Sequence, residues 1–274
     1  MASTVALISL VAPATASAED SPRADGLQVS IKDFPSTVYL MHTTAVQTPG
    51  YPPMVMHCAG SLIAPNKVLT AAHCVYLEVD GPADLDVVAG RGDRKSNAGK
   101  RVHVKSSWVP PKYDGNDNKF HDLAVLTLDE DLPYKPIEIA GADQKSLYAV
   151  GTKATVLGWG HTKEGGSQET NQEPSTVRYL HKAAVQVVKD GLCEAAYNKY
   201  DTQYRQDLML CAARKAEGKG QGACPYDDGG PLIAGGYLIG VVSFGNYCEL
   251  TGPPVAYTRI ETYADVINSE VDSA

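Results

Sequence analysis

The sequence predicts an all-β protein built from small β-barrels and ending in one short helix. Three observations carry this. Short runs rich in β-branched residues follow one another, separated by clusters of Gly, Pro, Asn and Asp, as barrel strands and their turns require. A length of 274 residues is ordinary for a pair of small barrels and can bury a sizeable core. Only beyond Glu261 does the pattern change, with Tyr263, Val266 and Ile267 at helical spacing.

Taken in order, residues 2–18 are apolar and close on Ala16-Ser17-Ala18, like the core and cleavage site of a secretory signal peptide, although no Lys or Arg precedes the run. The competing reading is a disordered Ala-rich tail. The run is too short and too broken by Pro for a membrane span. Residues 19–23 form a short polar lead, after which the folded domain is expected over 24–268. Its first barrel (about 24–135) draws strands from 37–41, 61–63, 68–70, 85–89 and the alternating run 102–106. Leu123-Ala-Val-Leu-Thr-Leu128 follows a polar loop, 112–121; it is almost continuously apolar, so it is expected to be deeply buried. A Pro-rich acidic connector, 129–136, leads into a second barrel (about 136–260) with strands at 153–160, 182–188, 208–212, 238–244 and 255–260. Residues 163–174 are nearly all polar and read as a surface loop. Ala234-Gly-Gly-Tyr237 reads as a tight hairpin. The helix is expected at about 261–268.

The formal net charge is −8, which argues against a nucleic-acid partner. Six cysteines, an even number, suit disulfides in an oxidising compartment, and number alone allows fifteen pairings. A zinc site finds no support, because no Cys-x-x-Cys pair or adjacent His cluster occurs. No Asp-rich calcium loop and no N-glycosylation sequon is present either. No metal and no cofactor are expected.

Six motifs then occur in one order: Thr-Ala-Ala-His73-Cys74, His121-Asp122-Leu-Ala-Val, Gly158-Trp159-Gly160, Gly229-Gly230-Pro231, Val242-Ser243-Phe244-Gly245 and Tyr257-Thr-Arg. With the stretch Cys224-Pro-Tyr-Asp-Asp-Gly-Gly-Pro-Leu232 they resemble the trypsin-like (chymotrypsin-fold, S1) serine peptidases, over almost all of residues 23–268. The resemblance implies two six-stranded antiparallel Greek-key barrels. It also implies disulfides joining Cys58 with Cys74, Cys193 with Cys211, and Cys224 with Cys248. Each closes a short loop, worth about 3 kcal/mol in the chain-entropy model.

By that resemblance His73 matches the general base, Asp122 the carboxylate that orients it, and Ser243 a serine supporting that carboxylate on the strand lining the cleft. A packing network of the same three side chains is the plainer alternative, since buried polar groups must be satisfied in any case. His57, beside Cys58, matches no catalytic role. The family motif Cys-x-Gly-Asp-Ser-Gly-Gly-Pro is broken twice: Asp228 stands at the nucleophile and Tyr226 at the oxyanion-hole glycine. A carboxylate is a poor nucleophile toward an amide, and a bulky residue is expected to resist the dihedrals that aim the hole's N–H. Gly222 at the base of the specificity pocket offers no counter-ion to Lys or Arg, and Val255 intrudes on its wall, so the pocket, which Ser243 and Gly245 also line, suits small apolar groups at best. In active relatives a freed amine pairs with the aspartate before the serine. Asp227 keeps that aspartate, but the usual isoleucine is replaced by Arg23, and cutting after Arg23 leaves a terminus one residue short, at Ala24.

Two carboxylates beside His73 are further expected to favour its protonated form. The function expected is that of a secreted, monomeric peptidase homologue without catalysis, binding or regulating an extracellular protein or peptide and touching neither nucleic acid nor membrane. The alternatives are an active secreted serine-type endopeptidase preferring small apolar residues, and an inert storage or surface protein.

Overall fold

The computed structural model describes residues 27–46, 54–75, 84–115, 119–160, 178–200, 202–214, 222–245 and 253–273. The proposed signal segment, Arg23 and the loop 163–174 lie outside these residues.

Two strand systems fold as the turn-punctuated pattern predicts. In the first, β2 (Thr37–Val46), β3 (Met54–Ala64), β4 (Lys67–Thr70), β5 (Leu85–Ala89), β6 (Lys100–Trp108) and β7 (Ala124–Leu128) close into a barrel in the order β2-β3-β4-β7-β6-β5. In the second, β9 (Lys153–Gly158), β10 (His181–Val187), β11 (Met209–Ala213), β12 (Pro231–Ala234), β13 (Tyr237–Phe244) and β14 (Val255–Arg259) run β10-β11-β14-β13-β12-β9, and β9 pairs with β10 to complete the ring. Every pairing within the two rings is antiparallel. Two short strands decorate the second: β1 (Leu27–Gln28) on β10, and β8 (Glu138–Ile139) parallel to β13.

Alternation explains which faces turn inward. In β6, Val102 and Val104 are buried while Arg101 and Lys105 are exposed. β7 departs from alternation because both faces are covered: Ala124, Val125, Leu126 and Leu128 are all buried, in one core cluster that also takes in residues of the second barrel and the C-terminal helix. The hairpin at Ala234 and Tyr237 forms as expected. Gly235 (φ 59°) and Gly236 (φ 88°) supply the two left-handed residues that a two-residue turn between twisted strands demands.

Among the described residues two α-helices are found, α1 (Asp190–Tyr197) and α2 (Ile260–Asp272). Nothing in the spacing announced α1, an eight-residue helix anchored through buried Cys193 and Tyr197. Strand β12 was also unannounced; it begins on Pro231, at the one strand position where a missing N–H is harmless. The second helix buries Ile260, Tyr263, Ala264 and Ile267, an i, i+3, i+4, i+7 face; Tyr263 and Ile267 of the expected helical spacing lie on it, and Val266 is only partly buried. It runs past the expected end at about 268. The reason is tertiary: the Lys67 ammonium, 4% exposed, donates to the Ser273 carbonyl (2.9 Å) at the helix end and to Thr127 Oγ1 (3.1 Å). A cation there satisfies orphan carbonyls and complements the helix dipole. Lys67→Met should therefore lower stability by about 1–2 kcal/mol in urea denaturation, and a change under about 0.5 kcal/mol would show that the cap contributes nothing.

Candidate active site

His73 is placed by the 3₁₀ turn Ala72–Cys74, which follows β4 and is tied to β3 by the Cys58–Cys74 disulfide. Asp122 is placed by a sharp turn before β7. His121 takes a left-handed backbone (φ 61°), Leu123 N–H donates to His121 O (2.8 Å), and the carboxylate of Asp122 is swung into the interior, where it is fully buried. The Tyr263 hydroxyl lies 2.9 Å from His121 Nδ1 and so braces this turn from α2.

At the buried carboxylate three donors converge: His73 N–H on Oδ1 (2.9 Å), and His73 Nδ1 (2.8 Å) and Ser243 Oγ (2.5 Å) on Oδ2. Thr258 Oγ1 donates to the Asp122 main-chain oxygen (2.6 Å). Burial works against the charge of Asp122, but His73 and the hydrogen bonds hold its carboxyl below the usual carboxylate range. Ser243 thus spends its hydroxyl on Asp122. Thr258 was not singled out in the sequence, although it sits within the Tyr257-Thr-Arg motif.

On the other side of the imidazole stands Asp228, with Oδ1 3.8 Å from His73 Nε2. That is ion-pair distance and too long for a hydrogen bond. Burial opposes a charge on His73, yet the Asp122 and Asp228 carboxylates outweigh it and raise its pKa. In an NMR titration His73 should deprotonate above the usual imidazole value, and Asp228→Asn should bring that midpoint down. Finding His73 neutral at pH 6 would remove the ion triad.

The segment bearing Asp228 is held by close backbone approaches that explain its glycines. Ala59 N–H donates to Asp228 O (2.7 Å), fastening the segment to the first barrel, and Gly229 N–H donates to Val242 O (2.9 Å). Gly229 has φ 76°, and a Cβ there would run into Thr70 Oγ1 and the Ala59 carbonyl. The Asp227 carboxylate is buried against the Gly158-Trp159-Gly160 segment, accepting from Gly160 N–H (2.8 Å) and Cys224 N–H (2.8 Å). A Cβ on Gly158 or Gly160 would occupy the place of this carboxylate. Burial, against those two hydrogen bonds, pushes Asp227 up to about 7. Among the described residues no cation is paired with it.

Tyr226 departs from expectation. Its backbone does adopt the left-handed conformation, φ 72°, that the glycine it replaces would take freely. The resistance expected of a bulky residue is overcome because the ring gains cover, packing on the cluster of Tyr39, Val88, Leu157, Trp159 and Leu180.

Around the pocket, Val255 is fully buried on β14, and a Cβ on Gly245 would lie 3.3 Å from Val255 Cγ2 and 3.4 Å from Tyr197 Oη. Tyr197 donates to the Pro254 carbonyl and meets Phe244 edge-on, ring centroids 4.9 Å apart. At Gly222 any side chain would strike Val185. Val255 and Tyr197 thus both pack close to Gly245, and Tyr197 is a residue that sequence reasoning did not single out. The Cys193–Cys211 disulfide pins α1, and with it Tyr197, to β11. Cys224 is disulfide-bonded as well, and its expected partner Cys248 lies outside the described residues. Cys58, His73 and Cys74 lie close enough together to suggest a metal site, but both sulfurs are consumed in their disulfide.

Two closed antiparallel barrels with a His–Asp–Ser network between them define the architecture of the trypsin-like serine peptidases. The trypsin family model matches residues 25–267. A protein named Trypsin from Saccharopolyspora erythraea is 39% identical over 248 residues, covering 90% of this chain and 97% of that one. Trypsin zeta from Drosophila melanogaster is 32% identical over 247 residues, covering 89% and 84%. The solved structure of the Vibrio cholerae VesB protease superposes with a TM-score of 0.70 at 26% identity, covering 91% of this chain and 68% of that one. The chain belongs to the trypsin family.

Proposed function

We propose that this chain is a secreted trypsin-family protein that does not cut, and that it acts by binding or regulating an extracellular protein or peptide. The observation that carries the reading is Asp228. Hydrolysis by this scaffold needs a hydroxyl whose proton the imidazole can take, and the side chain facing His73 is a carboxylate. Attack by a carboxylate on an amide would give a mixed anhydride, an acyl group far more reactive than the amide it came from, so the step runs uphill. The branched side chain of Val255, fully buried close to Gly245 and Tyr197, points the same way, because it takes up space in the pocket that the family resemblance places there. Export fits the disulfides at Cys58–Cys74 and Cys193–Cys211, which persist in oxidising compartments.

The test is reaction of the disulfide-intact mature protein with a fluorophosphonate probe, beside an active trypsin. The native chain should stay unlabelled. Labelling at a serine, displaced by a peptide substrate, would make the chain a working endopeptidase and end this reading.

A further inference from the structure

The acidic character of the chain is unevenly spread. Residues 91–105 read Arg-Gly-Asp-Arg-Lys-Ser-Asn-Ala-Gly-Lys-Arg-Val-His-Val-Lys. They hold six of the 24 Lys and Arg and one of the 32 acids, a net of +5 that leaves the rest of the chain at −13. The fold gathers these charges. Strands β5 and β6 form a hairpin in which Val88 faces Arg101 and Ala89 faces Lys100. Because Val102 and Val104 turn into the barrel, Arg101, His103 and Lys105 share its outer face. Arg91, Arg94 and Arg101 all act electrostatically on the hydroxyl of Tyr39, with Arg91 Nη1 3.4 Å from it. Arg178 joins from beside β10, where Arg94 N–H donates to the Arg178 carbonyl (2.9 Å).

Three of the acids nearby are engaged and position the cations; a fourth, Asp129, is exposed beside β6, its N–H donating to His103 O (3.1 Å). Asp93 accepts two hydrogen bonds from the Arg178 guanidinium, at 2.8 and 2.6 Å. Asp86, 8% exposed, is held by Arg101 and by His103 Nδ1 (2.9 Å). Glu130 pairs with Lys100 at 3.1 Å. Set against Asp86, Asp93, Asp129 and Glu130, the seven cations Arg91, Arg94, Lys95, Lys100, Arg101, Lys105 and Arg178 still leave the patch at +3 on a chain of net charge −8.

We propose that the outer face of the β5–β6 hairpin, formed by Arg91, Arg94, Lys95, Arg101 and Lys105, is a docking surface for an acidic polypeptide segment of a partner protein. The run from Lys100 to Lys105 spans about 17 Å at about 3.3 Å per residue, which suits five or six extended residues of a partner. Guanidinium forks pair with carboxylates two bonds at a time, as Arg178 already does with Asp93. A long polyanion such as nucleic acid or sulfated polysaccharide would run off the patch onto a surface of like charge, whereas a short acidic segment ends within it. The inference does not depend on the catalytic state of the cleft, which the probe reaction above decides separately.

Fluorescence anisotropy with a labelled octaglutamate peptide and the full disulfide-bonded protein tests it. Saturable binding is expected at about 0.02 M salt, weakening toward about 0.15 M as the Debye length shortens. Lys95→Glu with Lys105→Glu, both on the exposed face, should weaken it at least about tenfold. Lys145→Glu with Lys153→Glu, exposed in the turn that follows β8 and at the start of β9, should leave it unchanged. Absence of saturable binding, equal losses in the two variants, or tighter binding of a thymidine octanucleotide or a heparin octasaccharide would each overturn the proposal.

Discussion

Asp228→Ser should make this chain label with a fluorophosphonate, where the proposed function expects the native chain to stay unlabelled, and hydrolysis of a small peptide ester should rise by a factor on the order of 10³ or more. The rest of the machinery is in place around the substituted position: His73 is oriented by a fully buried Asp122, which Ser243 and the His73 main chain hold in turn. A serine Oγ at position 228 would face Nε2 of that imidazole, with no second carboxylate raising the imidazole pKa. Tyr226 already has the left-handed backbone of the glycine it replaces, so adding Tyr226→Gly to Asp228→Ser should improve the rate by less than about tenfold. Adding His73→Ala instead should abolish labelling. If Asp228→Ser stays dark while the double variant labels, the tyrosine blocks the hole despite its backbone. If both stay dark, the cleft has lost more than its nucleophile, and the geometry around His73 is a packing network alone.

The second large effect is on stability. Asp227 is buried, and its carboxyl is pushed up to about 7 from the usual 3.8. For an acid whose folded pKa is raised, both states are protonated below the unfolded value. As pH climbs from there the unfolded chain releases the proton and the folded chain keeps it, so stability falls until the folded group also ionises. Over about three pH units at about 1.36 kcal/mol each, the loss is about 4 kcal/mol between about pH 4 and pH 7. His73, with a raised pKa, adds to the decline: its contribution is complete below the unfolded imidazole value and disappears as pH rises through the folded one. Asp122 acts oppositely and lower down, its contribution being lost as pH falls through its depressed value. Urea denaturation with disulfides intact should therefore show maximal stability in mild acid. Asp227→Asn should flatten the decline between pH 4 and 7. An unchanged slope in that variant would mean that a cation from residues 1–26 already neutralises Asp227 in the folded protein.

Much of the architecture could be read from the chain alone, because strands advertise themselves by local chemistry. The run 85–89 is a strand over those residues, and 123–128 is as buried as its apolarity demands. Ala234 and Tyr237 flank the hairpin that two successive glycines dictate. The ordered motifs also brought His73, Asp122 and Ser243 to one place before any coordinates did, since each motif fixes its residue at the end of a particular strand. Short pieces such as α1 and β12 were silent, because eight or four residues with a Gly or Pro among them show no periodicity until neighbours hold them.

What the sequence by itself determined is chemical identity: which side chain stands at each position, and hence that a carboxylate replaces a hydroxyl at 228. Tertiary structure alone decided conformation and electrostatics. That Tyr226 takes a glycine's dihedral goes with the packing of its ring on the cluster that holds Tyr39, Leu157 and Trp159. Whether Asp227 holds a proton depended on burial against Gly158 and Gly160, residues some seventy positions away. How far α2 runs depended on a lysine more than two hundred residues earlier. Each is a free-energy balance between groups distant in the chain, and such balances have no local signature for a sequence to display.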